Sequence, residues 1–126
     1  KELKDRFYSE LQNKNRITFV YTKDEEYIAE VSIVFNKNDE DYTIPGKRIY
    51  ISRIIVKKDF RGKGYGKKLM DYAIDCAKNN GYKEISLGVN LDNYIAFKLY
   101  VDLGFTKIQY IGEDSDGKYV KLIKNL

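Results

Sequence analysis

The sequence contains no histidine or tryptophan, one cysteine and one proline in 126 residues. The lack of histidine excludes Ser-His-Asp and Cys-His nucleophile chemistry and removes the commonest metal ligand. The lone Cys76 excludes an internal disulfide and a cysteine-rich zinc site, and it fits a reducing compartment. We therefore expect a cytoplasmic protein without a metal, in which carboxylates, tyrosines, lysines or water move any proton.

Long apolar runs are also missing, since none approaches the ~20 residues that a membrane span needs. The charged start KELKDRFYSEL does not fit a secretory signal. The net charge of +4 favours an anionic partner, but the basic residues are scattered and the excess is too small for a typical nucleic-acid binder. We predict neither a membrane nor a nucleic-acid partner, and a homodimer is left open.

The residues that are present describe a globular protein, with 43% hydrophobic residues, 33% charged residues, twelve Tyr and six Phe. Such a chain has the length of one domain, which we place over residues 1–126. The first residue is Lys1 rather than Met. We therefore expect that an N-terminal segment of the domain is missing.

Hydrophobic periodicity predicts strands and helices that alternate in the second half of the chain. Strands that follow each other through short polar turns form antiparallel hairpins, whereas a helix can carry the chain to a parallel strand. We therefore expect an α/β (α+β) fold with a mixed sheet. The predicted elements are a helix over Glu2–Asn13, strands over Ile17–Thr22, Tyr27–Phe35 and Arg48–Val56, a helix that ends near Gly81, a strand over Glu84–Val89, a helix over Asn93–Leu103, and a hairpin of Phe105–Ile111 and Lys118–Ile123.

The stretch DFRGKGYGKK places Gly62, Gly64 and Gly66 on alternate residues between basic side chains. It follows a predicted strand and opens a predicted helix, whose first N–H groups have no partner within the helix. These donors and the positive end of the helix dipole favour an anion, and a diphosphate is the natural occupant. The alternative is a glycine-rich turn with solvated lysines.

Two well-known phosphate motifs do not fit this stretch. A P-loop needs glycine and Ser or Thr where Arg61 and Lys68 stand. The dinucleotide fingerprint needs glycines directly after the strand, whereas 57–61 intervene here and the third glycine comes one residue early.

A second pattern lies on the predicted helix after the buried strand. Asn93, Ala96 and Tyr100 stand at i, i+3 and i+7, so they share one helix face. That face combines an amide, a small residue that permits close approach, and a phenol. Taken alone, Tyr100 would be interpreted as an ordinary packed tyrosine.

Together the two patterns resemble the GNAT superfamily of acetyl-CoA-dependent N-acetyltransferases. The stretch RGKGYG at 61–66 is similar to the family's Arg/Gln-x-x-Gly-x-Gly/Ala signature, and NYIAFKLYVDLGF at 93–105 is similar to its second signature. The resemblance implies a mostly antiparallel sheet that is splayed at its centre and flanked by helices. Compared with the family pattern, we expect this chain to lack the N-terminal strand and helix, which would leave the acceptor side more open.

The resemblance also implies acetyl-CoA as co-substrate and an amine as acceptor, with direct attack of the amine on the thioester. Tyr100 would be the general acid that protonates the leaving thiolate, and a backbone N–H of the preceding strand would stabilise the oxyanion. A non-catalytic acyl-CoA-binding or interaction module with the same fold is the alternative. The implied coenzyme-binding residues are Ile54, Ile55, Val56, Arg61, Gly62, Lys63, Gly64, Tyr65, Gly66, Lys67, Asn93 and Tyr100.

The general base and the acceptor stay open at this point. Glu30 is a tentative base, Tyr50 or Ser52 could act through water, and the acidic residues at 39–41 are further candidates. Strand parity predicts that Tyr50 and Ser52 face the same side as Ile54 and Val56. The acidic residues would suit a small cationic amine, whereas an open groove would suit a peptide or protein amine. Cys76 is predicted to lie in the core.

Overall fold

A computed structural model describes the backbone of residues 5–12 and residues 15–126 in full. It contains a seven-stranded sheet in the order β1-β2-β3-β4-β5-β7-β6, in which only β4 and β5 are parallel neighbours. The predicted mixed, mostly antiparallel sheet with flanking helices is confirmed. The elements are β1 Asp5–Gln12, β2 Arg16–Lys23, β3 Glu26–Val34, β4 Arg48–Val56, α1 Tyr65–Asn79, β5 Glu84–Asn90, α2 Tyr94–Asp102, β6 Lys107–Asp114 and β7 Gly117–Asn125.

The first element differs from its prediction. Residues 5–12 form a strand that pairs with β2 from Asp5↔Lys23 to Gln12↔Arg16, so the predicted helix is wrong there; the remainder of that prediction lies outside the described residues. Phe7 and Leu11 are four residues apart, a spacing that fits both the helical and the strand period. A short helix is marginal by itself, whereas every residue of this strand has a partner in the β2 register and alternate residues bond their backbone groups to β2, so pairing decides.

The sheet splays between its two parallel strands. Pairing between β4 and β5 covers only Arg48↔Glu84 to Tyr50↔Ser86, although β4 continues to Val56. The closed end is held by a buried ion pair of 2.9 Å between Arg48 Nε and Glu84 Oε1. A gap therefore opens towards the carboxyl end of β4, as the predicted splay requires.

Both helices lie on one face of the sheet, which we call the helix face. There the ring of Tyr72 from α1 stacks edge-on against Phe19 of β2 at 5.0 Å, and Tyr21 is fully buried. Cys76 is half-buried and packs against this core, as predicted. Neither described helix is long and apolar enough to cross a membrane.

The opposite face, which we call the loop face, is partly covered by the segment 36–46. The hydroxyl of Ser86 on β5 donates to the carbonyl oxygen of Tyr42 in this segment. The hydroxyl of Tyr42 approaches Gly88 so closely that a Cβ at that position would collide with it. The segment is thus anchored over β5, beside the gap.

A β-bulge at Ser52 changes which side chains of β4 face the helices. The register passes from Ser32↔Arg53 to Ile33↔Ile51, which leaves Ser52 as the extra residue. Ile51 before the bulge is buried in the core, and Ile54 after it packs against the same core. The predicted common face of Tyr50, Ser52, Ile54 and Val56 is therefore wrong, because an even spacing across a bulge joins opposite faces.

Candidate active site

A cleft of about 730 Å³ on the helix face unites the two sequence patterns. We call it the glycine cleft. Its walls are the open edge of β4, the glycine turn with the start of α1, and one side of α2. The residues that line it are Ile54, Ile55, Val56, Phe60, Arg61, Gly62, Gly64, Tyr65, Gly66, Lys67, Asn93, Ile95, Ala96, Leu99 and Tyr100.

The glycine turn supplies unpaired backbone donors at the end of this cleft. Gly64 is the N-cap of α1 with a φ of 87° and Gly62 has a φ of 74°, a region that disfavours other residues. The N–H of Lys68 bonds the carbonyl of Gly64 at 3.1 Å. The N–H groups of Tyr65 to Lys67 precede this first helical bond, so the turn presents donors and the positive helix end to an anion.

The open edge of β4 faces the gap with its own backbone groups. The N–H of Lys57 donates to Ile28 on the β3 side at 2.8 Å. Because backbone groups alternate along a strand, those of Ile54 and Val56 point away from β3, towards the gap. The carbonyl of Val56 accepts a hydrogen bond from Arg61 Nε at 3.0 Å. An extended ligand can therefore pair with β4 as an added strand.

Helix α2 brings Tyr100 to the wall of the cleft. Asn93 caps this helix, since its side-chain oxygen accepts from the N–H of Ala96 at 3.2 Å. Tyr100 lies two turns later, is only 8% exposed and packs edge-on against Phe105. Burial raises the pKa of the Tyr100 phenol. The phenol is therefore held in its protonated form beside the cleft.

The predicted coenzyme-binding residue Lys63 and the tentative base Glu30 lie outside the lining of this cleft. Lys63 is exposed, with its Nζ 5.7 Å from the centre of the Phe60 ring. Glu30 accepts a hydrogen bond from the Tyr27 hydroxyl at 2.8 Å and lies 3.8 Å from Arg53 Nε. The hydrogen bond and burial raise the pKa of Tyr27 to about 12, with burial the larger cause. The role of Glu30 as a base stays a prediction.

A second pocket, of about 450 Å³, opens on the loop face at the same gap. We call it the tyrosine pocket. Tyr42 and Tyr50 stack at 4.2 Å between ring centres and form one wall. Residues of β5 beyond its pairing with β4 form the other wall, so the two cavities approach the gap from opposite faces. The lining residues are Asp39, Tyr42, Tyr50, Gly88, Val89, Asn90, Asp114, Asp116, Tyr119 and Lys121.

Lys121 neutralises part of the acidic segment that the sequence offered as a cation site. Its Nζ lies 2.9 Å from Asp39 and 3.1 Å from Asp41. Hydrogen bonds from Gln109 and Lys121 lower the pKa of Asp41. Burial alone would lower the pKa of Lys121, but its bonds to the two carboxylates outweigh this and raise it. These carboxylates therefore fix the segment 36–46 to β7.

Several lining residues escaped the sequence patterns, because they are not among the residues that define either motif. Phe60, Ile95 and Leu99 are unremarkable apolar residues in the sequence. Gly88 did carry a signal, because an isolated glycine inside an apolar strand marks a close approach by another group. That group is the hydroxyl of Tyr42.

Comparisons with known proteins agree with this geometry. The model of the acetyltransferase (GNAT) family matches residues 1–105. The uncharacterized N-acetyltransferase YhdJ of Bacillus subtilis is 37% identical over 67 residues, which cover 52% of this chain and 47% of that protein. N-alpha-acetyltransferase 30 of Schizosaccharomyces pombe is 38% identical over 60 residues, which cover 48% of this chain and 40% of that protein. The matches thus span less than half the length of these relatives.

The fold is also that of solved members of the family. The crystal structure of a GNAT family acetyltransferase from Elizabethkingia anophelis with acetyl-CoA bound superposes with a TM-score of 0.77 at 16% identity, covering 98% of both chains. The family model covers most of the sequence, and the fold contains the splayed strands, the glycine turn and the tyrosine-bearing helix that the two motifs predicted. The chain belongs to the acetyltransferase (GNAT) family.

Proposed function

We propose that this protein is an N-acetyltransferase that moves the acetyl group of acetyl-CoA to a primary amine. One observation carries the proposal, namely that the glycine turn, the open edge of β4 and Tyr100 line a single cleft. A diphosphate would bind the glycine turn, an extended amide chain would pair with the open edge of β4, and a thioester would lie beside Tyr100. The solved relative with acetyl-CoA bound supports the choice of co-substrate.

The diphosphate of the co-substrate would lie against the N–H groups of the glycine turn, with Arg61 and Lys67 adding positive charge at the mouth. The amide groups of the pantetheine arm would pair with the backbone of Ile54 and Val56 as an added strand. Such pairing fixes the thioester at the gap between β4 and β5. Positioning of this kind supplies much of the rate of a direct transfer.

The reaction itself is a direct attack. The nitrogen of the neutral amine forms a bond to the acetyl carbon, and a backbone N–H of β4 stabilises the oxyanion that results. The carbon–sulfur bond then breaks, and Tyr100 gives its proton to the leaving thiolate. The proton that the acetylated nitrogen loses would return through water to the Tyr100 phenolate, which restores the phenol. A phenol with a pKa of about 10 is a weaker acid than a thiol near 8.5, so the step depends on Tyr100 being held in place.

The acceptor would enter from the loop face, through the tyrosine pocket, because the co-substrate fills the other side of the gap. Both predicted classes, a small cationic amine and a peptide or protein amine, are compatible with an entrance there. Glu30 stays the proposed base. It pairs with Ile55 on the strand beside the gap, and it would take the ammonium proton through a water.

The test measures CoA release from acetyl-CoA over a panel of polyamines, amino acids and peptides, with wild type and Tyr100→Phe. We expect Tyr100→Phe to lower kcat about 10²-fold or more without a comparable change in acetyl-CoA affinity. Tyr94→Phe is the matched control, because Tyr94 lies on the same helix but is 77% exposed and outside the cleft.

Full turnover by Tyr100→Phe would contradict the general-acid role. Tight binding of acetyl-CoA without turnover on any amine would instead support the alternative of a non-catalytic acyl-CoA-binding module. Failure of the wild-type protein to bind acetyl-CoA would contradict both the transferase and the binding module.

A further inference from the structure

A third cavity adjoins the tyrosine pocket on the loop face. It measures about 540 Å³ and is lined by Asn15, Arg16, Asn36, Lys37, Tyr50 and Ser52, with Val34 at its base. We call it the basic pocket, because its charged lining residues are Arg16 and Lys37. Tyr50 lines both cavities, so they meet at its ring.

Among residues 15–126, the protein supplies no carboxylate partner for the two cations of the basic pocket. Within residues 15–126, neither Arg16 nor Lys37 takes part in an ion pair, and no carboxylate lines the pocket. The Nζ of Lys37 lies 5.7 Å from the centre of the Tyr50 ring. Burial raises the pKa of Tyr50 and the positive charge of Arg16 opposes that rise, which puts Arg16 within electrostatic reach of the shared tyrosine.

The backbone that carries these cations is anchored. Asn15 and Asn36 exchange two hydrogen bonds of 2.8 Å, which tie the segment 36–46 to the start of β2. The hydroxyl of Thr43 bonds both the N–H and the carbonyl of Lys37. A ligand in the basic pocket therefore meets charges on a preformed wall, which lowers the entropy cost of binding.

The tyrosine pocket has the opposite charge at its rim. Asp39 is compensated by Lys121, but Asp114 and Asp116 enter no ion pair within residues 15–126. The loop face thus presents negative charge beside the gap between β4 and β5 and positive charge on the far side of Tyr50.

We propose that the acceptor is a small amine that also carries an anionic group. Its ammonium would lie in the tyrosine pocket beside the gap, and its anion would bind Arg16 and Lys37. This inference rests on the proposed function and specifies its substrate. Because β2 lies two strands from β4 and strands are about 4.8 Å apart, the backbones that carry Arg16 and Tyr50 are about 10 Å apart. The long side chains of Arg16 and Lys37 can shorten this distance, so we expect the two charges of the acceptor to be separated by roughly 5–10 Å. An ω-amino carboxylate has this form.

Three amines of equal chain length test the inference: 5-aminopentanoate, pentylamine and cadaverine. With acetyl-CoA saturating, we expect kcat/KM for 5-aminopentanoate to exceed that for pentylamine about tenfold, as one charge-assisted hydrogen bond would provide. Cadaverine should be the poorest of the three, because its second ammonium would face Arg16 and Lys37.

Arg16→Gln and Lys37→Gln should each lower kcat/KM for 5-aminopentanoate more than kcat/KM for pentylamine, so that the preference for 5-aminopentanoate falls. Lys107→Gln is the matched control, since Lys107 is an exposed cation that lies outside both pockets and enters no ion pair within residues 15–126. A preference for cadaverine, no preference, or an equal loss in Lys107→Gln would overturn the inference.

The two proposals fail separately. Acetylation of all three amines at equal rates would overturn the proposal of an anionic acceptor, but it would still support the proposed transferase function. If no amine is acetylated, calorimetry of the same three amines against the CoA-loaded protein gives the ranking by affinity. Tighter binding of 5-aminopentanoate that depends on Arg16 would then support the inference, and equal or weaker binding would overturn it.

Discussion

Replacing Gly64 by alanine separates the fold of the glycine turn from its proposed binding of a diphosphate. Gly64 has a φ of +87°, and a Cβ built on it meets no atom within 4 Å. The cost to the free protein is therefore limited to the strain of a left-handed alanine, about 1–2 kcal/mol. We expect thermal unfolding to show this modest loss of stability and nothing larger.

The effect on the coenzyme should be greater than the effect on the fold. Gly64 lines the cleft at the turn proposed for the diphosphate, so we expect the added methyl group to compete with the diphosphate for this space. Displacing a diphosphate from one backbone N–H removes a hydrogen bond to a charged group, which corresponds to roughly 10- to 100-fold in Kd. Calorimetry of CoA with Gly64→Ala would measure this change.

Gly66 offers a matched control two residues away. A Cβ there would lie 3.8 Å from Leu99 and Val56, which is ordinary contact, and Gly66 has no left-handed backbone. Inside α1 an alanine should keep or raise stability by up to about 1 kcal/mol. We expect Gly66→Ala to change CoA affinity much less than Gly64→Ala does.

S-acetylpantetheine, which lacks the diphosphate, completes the test. If the glycine turn binds the diphosphate, Gly64→Ala should weaken CoA binding but leave the affinity for S-acetylpantetheine unchanged. Equal losses for both ligands would mean that the substitution distorts the cleft as a whole. An unchanged affinity for CoA in a folded Gly64→Ala protein would refute the proposed cradle.

Three further predictions follow from other parts of the molecule. Glu84→Gln leaves the buried Arg48 without its carboxylate, and denaturant unfolding should show a loss of about 3–5 kcal/mol, whereas Asp102→Asn in an exposed pair should cost under about 1 kcal/mol. Glu25 has a φ of 66° in the β2–β3 turn, so Glu25→Gly should stabilise the protein by about 1 kcal/mol in the same assay. Since burial raises the pKa of Tyr100 above its usual value of about 10, kcat should show no alkaline decline due to this phenol between pH 7 and 9; a decline that Tyr100→Phe abolishes would contradict this.

The parts of the site that the sequence predicted are those with local causes. The glycine turn needs only the left-handed conformation at Gly62 and Gly64, and the cap of α2 needs only Asn93 and the N–H of Ala96. Each of these interactions joins residues within a few positions of one another. The spacing of a motif therefore carried most of the geometry of the glycine cleft, including the place of Tyr100 on its wall.

Long-range pairing explains what the sequence did not predict. The segment 5–12 forms a strand because β2 is long enough to pair with all of it. The spacing of apolar residues within 5–12 contains no information about that partner. Lys121 fixes Asp39 from a position 82 residues along the chain, and no pattern within the segment 36–46 indicates that partner. The carboxylates that the sequence offered as a cation site are therefore part of the scaffold.

The β-bulge at Ser52 lies in a strand that the sequence predicted correctly, but it depends on long-range pairing with β3. Without the bulge, Tyr50 would share a face with Ile54 and Val56. The strand could then not present apolar residues to the helices both before and after Ser52. With it, Ile51 and Ile54 both pack on the helix face while Tyr50 points into the two pockets of the loop face. One extra residue thus allows a single strand to form a wall of the glycine cleft and a wall of the proposed acceptor site. Since a bulge depends on the register with β3 and leaves the composition of β4 unchanged, period-two analysis of β4 alone could not locate it.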